Sequence, residues 1–154
     1  MPAGGPIYVH VTPGNGTGNQ PIVVTGAIGD YGTTLNVDKN GKPNSNGHYA
    51  KVTLKKGTLE VNLTLLSAKQ AKAQPHFDKT TCSFTFAVTA PVTLFNGTGL
   101  YAGLSGRVNS TVTFGFVGPV YTSGAHKGQC NASNNAKPLA QWGSIMGPGV
   151  VKFG

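Results

Sequence analysis

From Arg107 to Val117 the side chains alternate, with Arg107, Asn109, Thr111 and Thr113 on one face and Val108, Ser110, Val112, Phe114 and Phe116 on the other. A period of two predicts a strand with one buried side. The same pattern sets Cys82, Phe84, Phe86 and Val88 against Thr81, Ser83, Thr85 and Ala87, predicting a strand over Thr81–Val88. Tyr49–Lys55 and Thr58–Leu66 have inward sets of Ala50, Val52 and Leu54, then Leu59, Val61, Leu63 and Leu65, and Lys56-Gly57 between them is a hairpin signal. Ile7–Thr12, Ile22–Ile28, the short run Val92–Phe95 and Ile145–Phe153 complete about eight strands.

Between the strands lie turn-forming stretches: Pro13–Gln20, Val37–His48 and the long Gly118–Trp142. Ser67–Lys79 alone has helical composition, and Pro75 limits it to about two turns. With no crossover helix, the strands should pair antiparallel. A sheet of this size with one apolar face must close or fold over, so the expected fold is all-β, a closed eight-stranded antiparallel barrel. An immunoglobulin-like sandwich is the second architecture; it fits less well because the sole tryptophan, Trp142, follows both cysteines instead of lying between them.

The chain has 154 residues, which suits one domain with Met1–Pro6 as an N-terminal tail, and its 23 glycines and 10 prolines favour turns over helices. Four of those glycines fall in Asn96-Gly97-Thr98-Gly99-Leu100-Tyr101-Ala102-Gly103-Leu104-Ser105-Gly106, directly after Val92-Thr93-Leu94-Phe95. This segment resembles the glycine-rich turn of dirigent proteins and allene oxide cyclases. From about Ile22 to Phe153 the chain also looks like small secreted actinobacterial barrel proteins that carry the same turn. The resemblance implies an eight-stranded antiparallel barrel whose lumen takes a reactive apolar substrate. Outside the turn the plant enzymes are not matched, so no catalytic residue carries over from them.

Twelve basic residues oppose four acids, Asp30, Asp38, Glu60 and Asp78, for a net charge of +8. The cations are scattered, with Lys55-Lys56 the only adjacent pair, whereas nucleic-acid binding needs several cations on one surface with interleaved aromatics. Nucleic acid is therefore not an expected partner. Anionic cell-wall polymer or lipid headgroups suit scattered charge better, and maintaining solubility is the plainest reading.

Cys82 and Cys130 are the only cysteines, and neither sits in a CxxC pair. One disulfide between them is the expected state, implying an oxidising compartment. The alternative keeps Cys82 in the core and Cys130 as a free loop thiol. The expected location is secreted or cell-envelope. No basic segment followed by an apolar run opens the chain, so the export signal is inferred and not seen. No apolar run is long enough to span a bilayer as a helix.

Candidate chemistry is sparse. The chain has no G-x-S-x-G, H-E-x-x-H, P-loop or dinucleotide fingerprint, and its four histidines are too dispersed to suggest a metal, so neither cofactor nor metal is expected. What remains is the lumen, which either packs solid or holds one small hydrophobic ligand against Phe84, Phe86, Phe114 and Phe116, with His76 at the mouth. Asp30 and Tyr31, bracketed by Gly29 and Gly32, are the leading catalytic candidates, with Tyr101 from the glycine-rich turn beside them. Glu60 and Arg107 fall on polar faces and would form a buried ion pair only in an inside-out barrel. The expected function is binding a small hydrophobic molecule, with catalysis, if any, that of a cofactor-free cyclase or isomerase. The alternative is a cell-envelope interaction protein that contacts wall polymer without catalysis. Polar outer faces suit a monomer or a weak homo-oligomer.

Overall fold

A computed structural model describes residues 3–12, 19–133 and 135–154. Nine strands and one helix follow in the order β1 (Gly4–Val11), β2 (Gln20–Gly26), β3 (Asp30–Val37), β4 (Tyr49–Leu54), β5 (Thr58–Asn62), α1 (Thr64–Lys72), β6 (His76–Asp78), β7 (Ser83–Phe95), β8 (Ser105–Val117) and β9 (Ala140–Lys152). All pairings between these strands are antiparallel, in the order β5-β4-β3-β2-β1-β9-β8-β7-β6. The ring closes where β5 pairs with the end of β7, Val61 opposite Leu94. Eight strands therefore form the barrel, and β6 stands outside it on the other end of β7.

Burial follows the alternation. Ile7, Val11, Ile22, Val24, Ala50, Val52, Leu54, Leu59, Val61, Val108 and Val112 all turn inward and are buried, which is the dry face that drives closure. The last three strands outrun the ring. Ser83–Val88, Thr113–Val117 and Ala140–Gly143 continue the ladder past the rim and, with β6, form a flap. Pro91 lies in β7 after the β6 pairing ends and before the β5 pairing begins, so its missing N–H leaves no ladder bond unmade. There α1 runs alongside, and Lys69 Nζ donates to the Thr89 carbonyl at 2.8 Å.

Several elements differ from the sequence expectation. The strand count of eight stands, but its members change: Thr81–Val88 and Val92–Phe95 are one strand, β7, and β3 is a strand that alternation does not reveal. β5 stops at Asn62, whose side chain accepts the Thr64 N–H at 3.0 Å and turns the chain into α1. Leu65, expected inside, is therefore 60% exposed. Gln74 precedes Pro75 and is biased away from helix, and α1 ends at Lys72. Gly4, Gly5 and Pro6 pair with Lys152, Val151 and Val150, so β1 takes up half of the expected tail. Cys82 precedes β7 in a left-handed conformation, φ 58°. Of the expected Pro13–Gln20 loop, residues 13–18 lie outside the described residues.

Candidate functional site

One end of the barrel is shut by three turns tied to a single carboxylate. Asp30 opens β3 facing inward. Its Oδ1 accepts the N–H of Tyr31 at 2.8 Å and of Lys55 at 3.3 Å, and its Oδ2 accepts the N–H of Lys56 at 3.0 Å and the Tyr101 hydroxyl at 2.5 Å. These donors come from the start of β3, the β4–β5 turn, and the 3-10 turn Gly99–Tyr101 between β7 and β8. The glycines there are required by close approach: a Cβ on Gly97 would lie 1.8 Å from the Tyr101 carbonyl oxygen, and one on Gly57 2.1 Å from that of Thr98.

Asp30 is 6% exposed and Tyr101 1%. Burial pushes the Asp30 carboxyl up, but the Tyr101 hydroxyl and the three amides outweigh it and hold it below the ordinary carboxylate value. Tyr101 is pushed well above an ordinary phenol, first by burial and then by the carboxylate it donates to. At neutral pH the pair is therefore a carboxylate and a phenol locked to each other. With four donors on its two oxygens, Asp30 has no free base to offer a substrate, and neither residue lines the lumen.

The lumen itself is hollow. A cavity of about 160 Å³ runs from Ile28, near the shut end, to α1. Its walls are aliphatic, with Ile22, Val24, Val52, Val61, Val92 and Val108 among them. On α1 and just before it, Leu63, Leu66, Ser67 and Gln70 follow the one-face helical spacing and line the other end, which is partly open, with Leu66 buried there. Two buried hydroxyl side chains line the cavity, Thr34 on β3 and Ser110 on β8. Those strands stand four apart in a ring of eight, so the two residues occupy opposite walls.

The residues singled out from the sequence are spread over the molecule. Asp30 and Tyr101, 71 residues apart, meet in the plug. Tyr31 points outward at 59% exposure, with the Lys55 ammonium 5.2 Å from its ring centroid. Glu60 is on the outer register of β5 and accepts Asn96 Nδ2 at 2.7 Å, while Arg107 is exposed on the outer register of β8, opposite Thr93. The inside-out arrangement that would bury them as a pair is thus not the one formed.

Phe84, Phe86, Phe114 and Phe116 share the inner register but fall beyond the ring, on the flap, and none lines the lumen. Phe84 stacks on Phe116 with centroids 4.8 Å apart, and Phe114 meets Phe84 and Phe86 edge-on. His76 is exposed on β6 opposite Thr85, away from the cavity lining. Cys82 and Cys130 form a disulfide, Cα–Cα 5.4 Å, that ties the β8–β9 loop to the outer end of the flap, just before β7 begins. Among the described residues, His, Cys, Asp and Glu side chains nowhere gather in threes as a metal would need, and no helix is long and apolar enough to cross a membrane.

Sequence reasoning passed over Thr34, Asn36, Ser67 and Gln70 as lining residues. For Ser110 a signal existed, a hydroxyl set among Val108, Val112, Phe114 and Phe116 on an otherwise apolar face. No family model, curated protein or solved structure matches this chain.

Proposed function

We propose that the protein is an exported barrel that binds one small, largely apolar molecule in its lumen. The observation that carries this reading is the 160 Å³ cavity walled by aliphatic side chains. Native cores leave few voids larger than a water, and an apolar cavity of about 150 Å³ is known to stay dry and accept benzene. Keeping such a void costs stability, roughly 24 cal/mol per Å³ in core-truncation series, which a bound molecule offsets. The disulfide supports export, since such bonds persist in oxidising compartments.

The closed barrel and the Asn96–Gly106 turn together support a likeness to the dirigent and allene oxide cyclase barrels and to their secreted actinobacterial counterparts. On that likeness the bound molecule is a substrate, and the lumen works as a cofactor-free cyclase or isomerase by holding it in a reactive shape. Among the described residues no ionisable side chain lines the cavity, so such catalysis rests on positioning alone, and binding is the role the geometry supports best.

Thermal melts test this. Saturating cyclohexane or benzene is expected to raise the melting temperature of the wild type by about 2–5 °C, by mass action on the folded state. Ala50→Leu places three further carbons in the lumen and should abolish the shift while leaving the fold intact. No shift in the wild type, or an equal shift in the variant, refutes a lumen site.

A further inference from the structure

The side chains that line the lumen also restrict what it accepts, and this inference rests on the lumen being the binding site. We infer that the ligand is an uncharged aliphatic molecule of about ten non-hydrogen atoms or fewer that carries a hydroxyl or carbonyl group, an alcohol or ketone in class. Four features carry it.

First, the 160 Å³ volume admits a single small ring or a short branched chain. Second, among the described residues the lining contains no Lys, Arg, His, Asp or Glu. Asp30, which faces inward at the shut end, has its oxygens occupied by Tyr101 and three amides. A charged ligand would enter without a counter-ion, and burying an unpaired charge is far costlier than burying a neutral polar group. Third, among the described residues the lining contains no aromatic ring: the phenylalanine cluster lies beyond the rim, so these walls offer no face for stacking.

Fourth, the wall is not uniformly apolar. Thr34 and Ser110 interrupt it from opposite sides, each only 7% exposed. Gln20, Asn36, Ser67 and Gln70 add neutral amides and a hydroxyl, the last two on α1. A hydroxyl both donates and accepts, so Thr34 and Ser110 suit an alcohol or a ketone equally well, while a pure hydrocarbon would leave them without a ligand partner. A buried site built around hydrogen-bonding groups discriminates against analogues that lack the matching group.

The test is a series of near-isosteres titrated calorimetrically into the intact protein: cyclohexanol, methylcyclohexane, cyclohexanecarboxylate and cyclohexylammonium. Cyclohexanol should bind about 5- to 10-fold tighter than methylcyclohexane, the worth of one neutral hydrogen bond. Both ions should bind at least about 100-fold more weakly than the alcohol. In the double variant Thr34→Val, Ser110→Ala the alcohol's advantage should vanish while methylcyclohexane still binds, which a merely structural role for these hydroxyls would not produce. Equal affinity for alcohol and hydrocarbon in the wild type, or tight binding of either ion, overturns the inference and leaves the lumen reading standing. Failure of both neutral compounds to bind removes the lumen reading and the inference with it.

Discussion

Opening the Cys82–Cys130 disulfide is expected to lower the unfolding free energy by about 4 kcal/mol, since the bridge closes a loop with a sequence separation of 48 and removes that freedom from the unfolded chain. The loss should be felt first in the flap. The bridge anchors the β8–β9 loop at the point where β7 enters, and beyond the ring these strands are held by the β6–β7, β7–β8 and β8–β9 pairings, the phenylalanine cluster and loop contacts such as the Gly118 N–H to the Cys82 carbonyl. Urea unfolding of oxidised and reduced protein, and of Cys130→Ser, measures it; coincident midpoints would show that the bridge contributes nothing. Cys82 adds a second expectation. Its φ of 58° is a conformation that costs most residues roughly 1 kcal/mol and glycine almost nothing. Cys82→Gly with Cys130→Ser should therefore be more stable than Cys82→Ser with Cys130→Ser, despite having the less restricted unfolded chain.

The plug gives the second large effect. Asp30→Asn puts an NH2 group where one carboxylate oxygen receives its donors, and should cost about 2–4 kcal/mol, as expected for a buried hydrogen-bonded group whose partners are left unpaired. Tyr101→Phe keeps the ring and the three amides on Asp30, and should cost about 1–2 kcal/mol. The double variant should cost less than the sum, because both substitutions break the same bond.

The pH dependence follows from the two shifts. Asp30 titrates lower folded than unfolded, so its stabilisation is present above the ordinary value of 3.8 and is lost as the pH falls through the depressed value. Tyr101 titrates higher folded than unfolded, so its contribution is complete below the ordinary 10.0 and is lost as the pH climbs above it. Asp78, half-buried and held low by the amides of Thr80 and Thr81, adds to the acid limb. The Asp30 share is therefore read as the difference between wild type and Asp30→Asn. Urea midpoints from about pH 3 to about pH 11 should show the wild type losing stability at both extremes, with the acid loss reduced in Asp30→Asn and the alkaline loss reduced in Tyr101→Phe. Parallel profiles for all three proteins would rule out the plug as a titrating latch.

Much of the architecture is readable along the chain. The inward sets of β1, β2, β4, β5 and β8 follow from alternation, because each strand places every second side chain on the dry side whatever its neighbours are. The glycine-rich turn is readable too, since Gly97 and Gly99 are demanded by contacts a few residues away or across one hairpin. The strand that alternation hides is β3, whose inward residues are Asp30, Gly32, Thr34 and Asn36. It looks like a loop for the same reason that it matters: it supplies the plug's carboxylate and two of the cavity's polar side chains, Thr34 and Asn36.

What the sequence determines by itself is therefore the local part: an all-β chain, an apolar face on most strands, a glycine-built turn, and two cysteines free to pair only with each other. The tertiary structure decides what depends on where the ring closes. Phe116 and Val108 share a strand and a face, yet one lies on the flap and the other in the lumen, because the strands flanking β8 lose their ring partners partway along. Asp30 and Tyr101, equally, are unrelated until closure brings their turns together. Periodicity is set by each residue's immediate neighbours in the chain. Closure is set by β5 meeting β7, a contact between distant segments whose register no single stretch of sequence contains.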